Sequence, residues 1–316
     1  MPADLHVWAV PLRTRFRGLT VRDGVVVRGD AGWGEFSPFW DYDEQESLAW
    51  WRAAREAADD GWPAPVRDRI PVNVTIPAVD AESAHRLVLA SGGCTTAKVK
   101  VAEPGQSLSD EMARLEAVRD ALGPSGAIRI DANAAWDVDT AVARLFVLDR
   151  AAGGLEYAEQ PVPSVDDLAA VRRRTHVPIA ADESIRRAQD PMAVARAHAA
   201  DVVVLKVQPL GGVRACLDLA EAIGLPVVVS SALESSVGLA AGIALAAALP
   251  ELPYACGLAT AQLFAADLVT DPLLPAGGSI AVRRPLPDPT LLERAAAPAE
   301  LADRWRRRIA AVRAQA

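Results

Sequence analysis

The chain has 316 residues, a net charge of −8 at neutral pH and an apolar fraction of 51%. These values allow one large α/β domain with a smaller accessory unit, and they exclude an intrinsically disordered chain. The excess of acidic residues argues against nucleic acids and anionic membranes as partners. The longest apolar run, 237–249, is too short to span a bilayer, and the three cysteines show no metal-binding spacing. We therefore expect a cytoplasmic protein.

Residues 1–70 are predicted to form a small α+β unit. Its strands are predicted at 5–12, 21–28 and 32–36, and its helix at 43–58. The Asp23-Gly24 pair is typical of a tight hairpin turn, and residues 14–19 are predicted to form a loop. We expect the C-terminal tail, 275–316, to pack back on this unit through a helix.

Between residues 71 and 274, short β-rich runs alternate strictly with helical stretches. The strands are predicted at 72–76, 95–101, 127–131, 155–159, 179–182, 202–207, 227–231 and 254–257. Such alternation indicates parallel strands joined by helical crossovers. A doubly wound open sheet lacks support, because no glycine-rich phosphate-binding motif follows the first strand. We therefore predict an α/β fold with a (β/α)8-type barrel, in the modified (β/α)7β form, beside an N-terminal α+β capping domain.

The chain contains only three lysines, Lys98, Lys100 and Lys206, against 30 arginines (33 Lys+Arg minus 3). An ammonium group can release its proton when its pKa is lowered, whereas a guanidinium group in a protein cannot. We interpret the three lysines as positions where arginine would not serve. Lys98 and Lys100 lie two residues apart on a predicted strand, so their side chains should share one face of it.

Charged residues recur at the C-terminal ends of five consecutive barrel strands. Asp131, Glu159 and Asp182 end the third, fourth and fifth strands, Lys206 ends the sixth, and the other two lysines lie on the second. These strand ends form the functional face of a barrel. Three carboxylates without cysteine or histidine predict a Mg²⁺ site with positions left open, and ion pairing with arginines is the alternative.

The second and sixth strands lie on opposite sides of an eight-stranded ring. Lys100 and Lys206 should therefore face each other across the metal, with Lys98 assisting Lys100 electrostatically. A base placed opposite a divalent metal suits removal of a proton next to a carboxylate, because the metal stabilises the enediolate that forms. The predicted partner is a small-molecule carboxylate substrate, and the oligomeric state stays open.

Five short motifs resemble those of the enolase superfamily, in particular its muconate-lactonizing-enzyme subgroup. They are Lys98-Val99-Lys100, Asp131-Ala132-Asn133, Glu159-Gln160-Pro161, Asp182-Glu183-Ser184 and the Leu-Lys-Val-Gln-Pro-Leu-Gly-Gly run at 205–212. The order and spacing of these motifs match along the whole barrel. No histidine follows the seventh strand, which disfavours the mandelate-racemase arrangement.

Within the subgroup, the short chain and the segments 11–18 and 230–236 are similar to the o-succinylbenzoate synthase family of menaquinone biosynthesis. The resemblance implies syn-dehydration of 2-succinyl-6-hydroxy-2,4-cyclohexadiene-1-carboxylate to 2-succinylbenzoate. Lys100 would remove the proton beside the carboxylate and return a proton to the leaving hydroxyl, while Lys206 stays cationic. The alternative is an N-acylamino-acid racemase or a dipeptide epimerase, in which both lysines would transfer protons.

Five further residues are candidates for substrate contacts. Arg17 and Gly18 could close over the substrate from the capping domain, although a plain surface loop is equally compatible with their sequence. Asn133 could bind to the metal shell or serve a structural role. Ser231 and the backbone around Leu233 could receive the distal succinyl carboxylate, and a strand–helix turn capped by serine is the alternative.

Overall fold

The computed structural model of the chain describes residues 5–315. Its N-terminal part is an antiparallel sheet with the strand order β1-β2-β3. These strands are β1 (Leu5–Phe16), β2 (Leu19–Gly29) and β3 (Gly32–Phe36). Helix α1 (Glu44–Arg55) follows and begins at a capping box formed by Asp43 and Glu46. It continues as one π-helical turn to Asp60, two residues beyond the predicted end at 58, and is followed by Gly61.

The prediction of a loop at 14–19 is wrong. Strand β1 continues through Phe16, and the chain reverses at Arg17 and Gly18 alone. Both turn residues have positive φ angles, 50° and 77°. The tight turn places these two side-chain positions at the tip of a long hairpin.

The prediction of a hairpin turn at Asp23-Gly24 is also wrong, because both residues lie within β2 and pair with β1. Gly24 is needed there for close packing rather than for a turn. A Cβ atom at this position would lie 2.5 Å from the Ser37 Cβ and 3.0 Å from the Trp8 ring. The glycine therefore leaves the space that the Trp8 ring and the Ser37 side chain occupy.

After the short strand β4 (Arg69–Pro71), seven parallel strands form one sheet with their order following the sequence. They are β5 (Val74–Ile76), β6 (Thr96–Lys100), β7 (Ala127–Asp131), β8 (Tyr157–Glu159), β9 (Ile179–Ala181), β10 (Val202–Leu205) and β11 (Val227–Val229). The predicted eighth strand is present as two parallel bridges, Val72–Cys256 and Ser230–Gly257. These bridges join the two edges of the sheet, so the predicted barrel fold is confirmed.

Helices connect successive strands and cover the outside of the barrel. They are α2 (Ala81–Leu89), α3 (Leu108–Leu122), α4 (Val138–Ala152), α5 (Val165–Arg172), α6 (Glu183–Arg186), α7 (Ala193–Arg196), α8 (Val207–Leu210), α9 (Val213–Ile223) and α10 (Ser236–Ala248). Helix α10 contains most of the apolar run at 237–249 and is buried nearly all round, which is typical of a core helix. Within residues 5–315, none of the helices is long and apolar enough to traverse a lipid bilayer.

The C-terminal segment returns to the N-terminal sheet. It contains β12 (Ser279–Ala281), which pairs with β4, and the helices α11 (Pro289–Arg294) and α12 (Ala299–Arg313). Trp305 of α12 is fully buried and meets the Phe36 ring edge-on at 5.8 Å. Arg308 donates hydrogen bonds to the carbonyls of Phe39 and Tyr42. Helix α12 therefore contacts the N-terminal unit, while the division into domains, with its boundaries at 70/71 and 274/275, stays a prediction.

Replacing Trp305 with alanine should lower the free energy of unfolding by about 3–5 kcal/mol, because a large buried aromatic side chain is lost. Chemical denaturation followed by circular dichroism measures this change. Arg307→Ala is the matched control, since Arg307 is exposed on the same helix. Equal stability of the two variants would contradict the role of α12 in the core of the N-terminal unit.

Candidate active site

Six charged side chains meet at the C-terminal ends of five neighbouring barrel strands. They are Lys98 and Lys100 on β6, Asp131 at the end of β7, Glu159 at the end of β8, Asp182 directly after β9 and Lys206 directly after β10. The strand register sets Lys100 opposite Asp131, and Asp131 opposite Glu159. Parallel pairing of short apolar strands therefore brings together groups that are far apart in the sequence.

Two of the lysines bind the acids on the neighbouring strands. The Nζ atom of Lys98 lies 3.0 Å from both carboxylate oxygens of Glu159 and 3.5 Å from Oδ2 of Asp131. The Nζ atom of Lys100 lies 2.5 Å from the same Asp131 oxygen and 2.7 Å from Oδ1 of Asn133. Because both ammonium groups contact Asp131, the two lysines share one face of β6, as their spacing predicts.

Asp182 is bound by two cations on the other side of the group. The Nζ atom of Lys206 lies 2.6 Å from Oδ2 of Asp182, and Nε of Arg186 lies 2.9 Å from Oδ1. Arg186 also donates to Oε1 of Glu183 at 2.5 Å and to the hydroxyl of Tyr42. Sequence analysis missed Arg186, although an arginine four residues after an aspartate is a signal for a pair on a helix.

Asn133 and Glu183 link the two sides of the group. Asn133 accepts a hydrogen bond from Lys100, and its Nδ2 lies 3.4 Å from Oε1 of Glu183. Its backbone N–H donates to Oδ1 of Asp131 at 3.0 Å. The other carboxylate oxygen of Glu183, Oε2, is buried and has no hydrogen-bond partner among the described residues. This oxygen is a free acceptor beside the acids.

Burial and the neighbouring opposite charges shift the pKa values of these side chains in opposite directions. Burial alone would lower the pKa of Lys98, but the carboxylates of Glu159 and Asp131 raise it above its usual value. Burial would raise the pKa of Asp131, but the ammonium groups of Lys100 and Lys98 hold it well below its usual range. Arg186 and Lys206 likewise hold the pKa of Asp182 low against the effect of burial.

Glu159 and Lys206 are shifted toward their neutral forms. Burial, together with the negative charge of Asp131, raises the pKa of Glu159 to about 7. Burial lowers the pKa of Lys206, and the neighbouring Asp182 carboxylate opposes that effect. The pKa of Glu159 therefore lies near neutral pH, while that of Lys206 lies below the usual value of a lysine.

The donor chemistry of the three acids fits a hard divalent cation. Asp131 and Glu159 already share one cation, the ammonium of Lys98. Carboxylate oxygens are the ligands that Mg²⁺ prefers. Within residues 5–315, no group of three or more acidic, histidine or cysteine side chains is preassembled around a metal position. An ion bound to all three acids would share their carboxylates with the ammonium groups of Lys98, Lys100 and Lys206.

A narrow cavity of about 30 Å³ lies above the charged group. Its lining comes from both parts of the chain and consists of Phe16, Arg17, Phe39, Thr75, Lys98, Lys100, Asp131, Asn133, Lys206, Ser230, Ser231, Ala232, Leu233, Gly257 and Thr260. A second cavity, about 130 Å³, adjoins it beneath the β1–β2 turn and is lined in part by Arg17, Gly18 and Asn133. All five predicted substrate-contact residues therefore line one of these two cavities.

The predicted substrate-contact residues already make contacts within the protein. The guanidinium of Arg17 lies 4.6 Å from the centre of the Phe39 ring. The hydroxyl of Ser231 lies 2.6 Å from that of Thr260 and accepts the N–H of Leu233 at 3.0 Å. A ligand at Leu233 would therefore compete with Ser231 for this N–H.

Comparison with known proteins assigns the chain to a family. Residues 80–287 match the family described as enolase C-terminal domain-like, and residues 7–58 match enolase N-terminal domain-like. An o-succinylbenzoate synthase of Thermobifida fusca is 66% identical over 98% of this chain and 96% of its own length. The chain belongs to the o-succinylbenzoate synthase branch of the enolase superfamily.

Other members agree with this assignment. An o-succinylbenzoate synthase of Mycolicibacterium smegmatis is 53% identical over 98% of the chain and 95% of its own length. The predicted enzyme class, a carbon–oxygen lyase, is confirmed by these enolase-superfamily relatives. A crystal structure of muconate lactonizing enzyme from Pseudomonas fluorescens, complexed with muconolactone, superposes with a TM-score of 0.79 at 20% identity. It covers 93% of this chain and 98% of its own, and it confirms the fold.

Replacing Lys98 with methionine should lower the free energy of unfolding by about 3–5 kcal/mol, because the buried acids lose a partner. The double variant Lys98→Met with Glu159→Gln should lose less than the sum of the two single variants. Urea denaturation in the presence of a chelator measures the coupling.

The exposed pair Arg174–Asp139, which is 2.8 Å apart, provides the control cycle. Its variants Arg174→Met and Asp139→Asn should show a coupling of about 0.2–1 kcal/mol. A coupling of the same size at Lys98 and Glu159 would contradict the mutual compensation of the buried charges.

Proposed function

We propose that this enzyme dehydrates 2-succinyl-6-hydroxy-2,4-cyclohexadiene-1-carboxylate to 2-succinylbenzoate as a step of menaquinone biosynthesis. The observation that carries the proposal is the pair of lysines, Lys100 and Lys206, on opposite flanks of three buried carboxylates. The names of relatives at 52–66% identity support this substrate. The three cysteines are free and buried, which agrees with a reducing cytoplasm as the compartment.

Lys100 is the proposed base. Its neutral amine takes the proton from the ring carbon that bears the carboxylate, and the electron pair forms an enediolate. The enediolate then expels the hydroxyl from the adjacent carbon, and Lys100 returns the proton to it, so that water leaves on the same face. The ring becomes aromatic, and Lys100 ends the cycle as a neutral amine. Asp131 and Asn133 hold its Nζ at 2.5 and 2.7 Å and fix its direction.

Lys206 is the proposed cation on the opposite face of the ring. Asp182, at 2.6 Å, keeps its ammonium in place, and a positive charge there stabilises the enediolate. Lys98 contributes by holding Asp131 and Glu159 together. Asp131, Glu159 and Asp182 would hold Mg²⁺, which when bound supplies a divalent charge next to the substrate carboxylate.

The remaining candidates are proposed to shape the substrate pocket. Arg17 and Gly18 close the cavity from the β1–β2 turn, and the rings of Phe16 and Phe39 supply an apolar wall for the cyclohexadiene ring. Ser231 and Leu233 lie on the other wall, where we place the distal succinyl carboxylate.

The second candidate function is racemisation or epimerisation of an N-acylated substrate. The observation that favours it is the lowered pKa of Lys206, because a buried lysine on the flank opposite Lys100 suits a second proton-transfer group. Both functions use the same charged group, so a substrate assay must separate them.

Purified enzyme with Mg²⁺ should convert the cyclohexadiene acid, which is followed by the loss of its diene absorbance. In parallel, N-succinyl amino acids are tested for racemisation by polarimetry. Conversion of the first substrate at a rate typical of enzymes supports the dehydratase. Racemisation without any dehydration would overturn it in favour of the second function.

Lys100→Arg should lower kcat for dehydration by about 10²–10⁴-fold, because guanidinium cannot serve as the base. Lys206→Arg keeps the positive charge and should retain far more dehydration activity than Lys100→Arg. The same Lys206 variant should abolish racemisation, which needs proton transfer on both faces. Equal losses of dehydration in the two variants would contradict the separate roles of base and cation.

Removal of divalent metal with EDTA should abolish activity, and added Mg²⁺ should restore it. Asp131→Asn and Glu159→Gln should require higher Mg²⁺ concentrations, because each loses a charged oxygen ligand. Calorimetric titration of Mg²⁺ into the chelator-treated protein measures the same sites without relying on activity. Full activity in EDTA would rule out the metal.

A further inference from the structure

Two buried charged residues of the N-terminal sheet contact the segment between β11 and α10. Arg22 of β2 and Glu35 of β3 are 1% and 2% exposed. Neither residue lines the cavity above the lysines, whereas Ser231 and Leu233 do. Arg22 and Glu35 therefore influence the site through the residues that they contact, and not by lining it themselves.

Arg22 ties the backbone of Leu233 to the N-terminal unit. Its Nε donates to the carbonyl of Leu233 at 2.9 Å, and its Nη2 donates to the carbonyl of Ser37. Its guanidinium also lies 4.3 Å from the centre of the Phe39 ring. The arginine thus joins one wall of the cavity, at Leu233, to the opposite wall, at Phe39.

Leu233 has a φ angle of +66°, a conformation that residues other than glycine rarely adopt. Such a conformation persists only where neighbouring groups fix the backbone. The Ser231 hydroxyl holds the N–H of Leu233, Glu234 holds the N–H of Ala232 at 2.9 Å, and Arg22 holds the Leu233 carbonyl. Arg22 supplies the contact of this set that comes from the N-terminal unit.

Glu35 binds the start of α10, directly after the same turn. Its carboxylate accepts the Gly238 N–H at 3.2 Å, the Ser37 hydroxyl at 2.7 Å and the Ser235 hydroxyl. A Cβ atom on Gly238 would lie 2.8 Å from the Glu35 carboxyl carbon, so glycine is required for this approach. The carboxylate therefore fixes the second end of the turn.

We infer that Arg22 and Glu35 are positioning residues that set the shape of the Ser231–Leu233 wall and thereby the fit of the substrate's distal carboxylate. The identity of that carboxylate rests on the proposed function. Arg22 contacts Leu233, Glu35 contacts Ser235 and Gly238 directly after the turn, and neither contacts Lys100 or Lys206. They therefore act on recognition of the succinyl arm and not on proton transfer. Loss of either residue should therefore raise KM with little change in kcat.

The variants are Arg22→Gln and Glu35→Gln, and the control is Asp267→Asn. Asp267 also binds the first turn of α10, through the N–H and hydroxyl of Ser236, but it contacts neither the Ser231–Leu233 turn, as Arg22 does, nor Ser235, as Glu35 does. Titration calorimetry with the product 2-succinylbenzoate and with benzoate, which lacks the succinyl arm, compares the two parts of the site.

Arg22→Gln and Glu35→Gln should each weaken binding of 2-succinylbenzoate about tenfold, because a hydrogen bond from a charged group is lost. The affinity for benzoate and the value of kcat should each change by less than about twofold. Asp267→Asn should leave the ratio of the affinities for 2-succinylbenzoate and benzoate unchanged. Equal losses for both ligands, or the same ratio in all three variants, would overturn the inference.

Folding of each variant is checked by circular dichroism. If the two charge variants fail to fold, Ser37→Ala removes one donor to Glu35 without changing a charge, and it should shift the affinity ratio in the same direction; no shift would overturn the inference. If the wild-type enzyme does not bind 2-succinylbenzoate, the proposed function fails.

The same variants are then compared for their affinity for N-succinyl and for N-acetyl amino acids. A loss of affinity for the N-succinyl ligand alone still supports the positioning role.

Discussion

The mutual neutralisation of buried acids and amines at the barrel mouth is the constraint on which the site depends. Asp131, Glu159 and Asp182 are each at most 1% exposed, and a buried charge without a partner costs several kcal/mol. Lys98, Lys100, Lys206 and Arg186 provide those partners. The strand register matters for the same reason, because a shift by one residue would turn a charge into the apolar layer outside the barrel.

The division between lysine and arginine follows from this constraint. Arginine is used where a permanent charge must hold an element in place: Arg186 binds Asp182 and Tyr42, and Arg22 binds Leu233. Lysine is used at the positions next to the cavity, where the proposed reaction needs a proton to move or a compact charge to face a ring. All three lysines therefore belong to the charged group at the barrel mouth, although the chain uses arginine everywhere else.

The barrel and the charged group could be predicted from the sequence because both depend on local signals. Apolar strands with a charge at the end place that charge at the mouth of the barrel, as Asp131 and Glu159 do. The prediction of a turn at Asp23-Gly24 is wrong because the glycine makes room for Trp8, a contact that only the folded sheet reveals. Arg22 and Glu35 could not be found either, since their partners lie 211 and 200 residues away and exposed strands also contain such residues.

The most direct measurement is a crystal structure of the enzyme grown with Mg²⁺ and 2-succinylbenzoate. We expect one metal ion bound by Asp131, Glu159 and Asp182, with the carboxylate of the product beside it. The Nζ atoms of Lys100 and Lys206 should lie on opposite faces of the aromatic ring. A metal ion bound away from these three acids, or a product molecule outside this cavity, would contradict the proposed site.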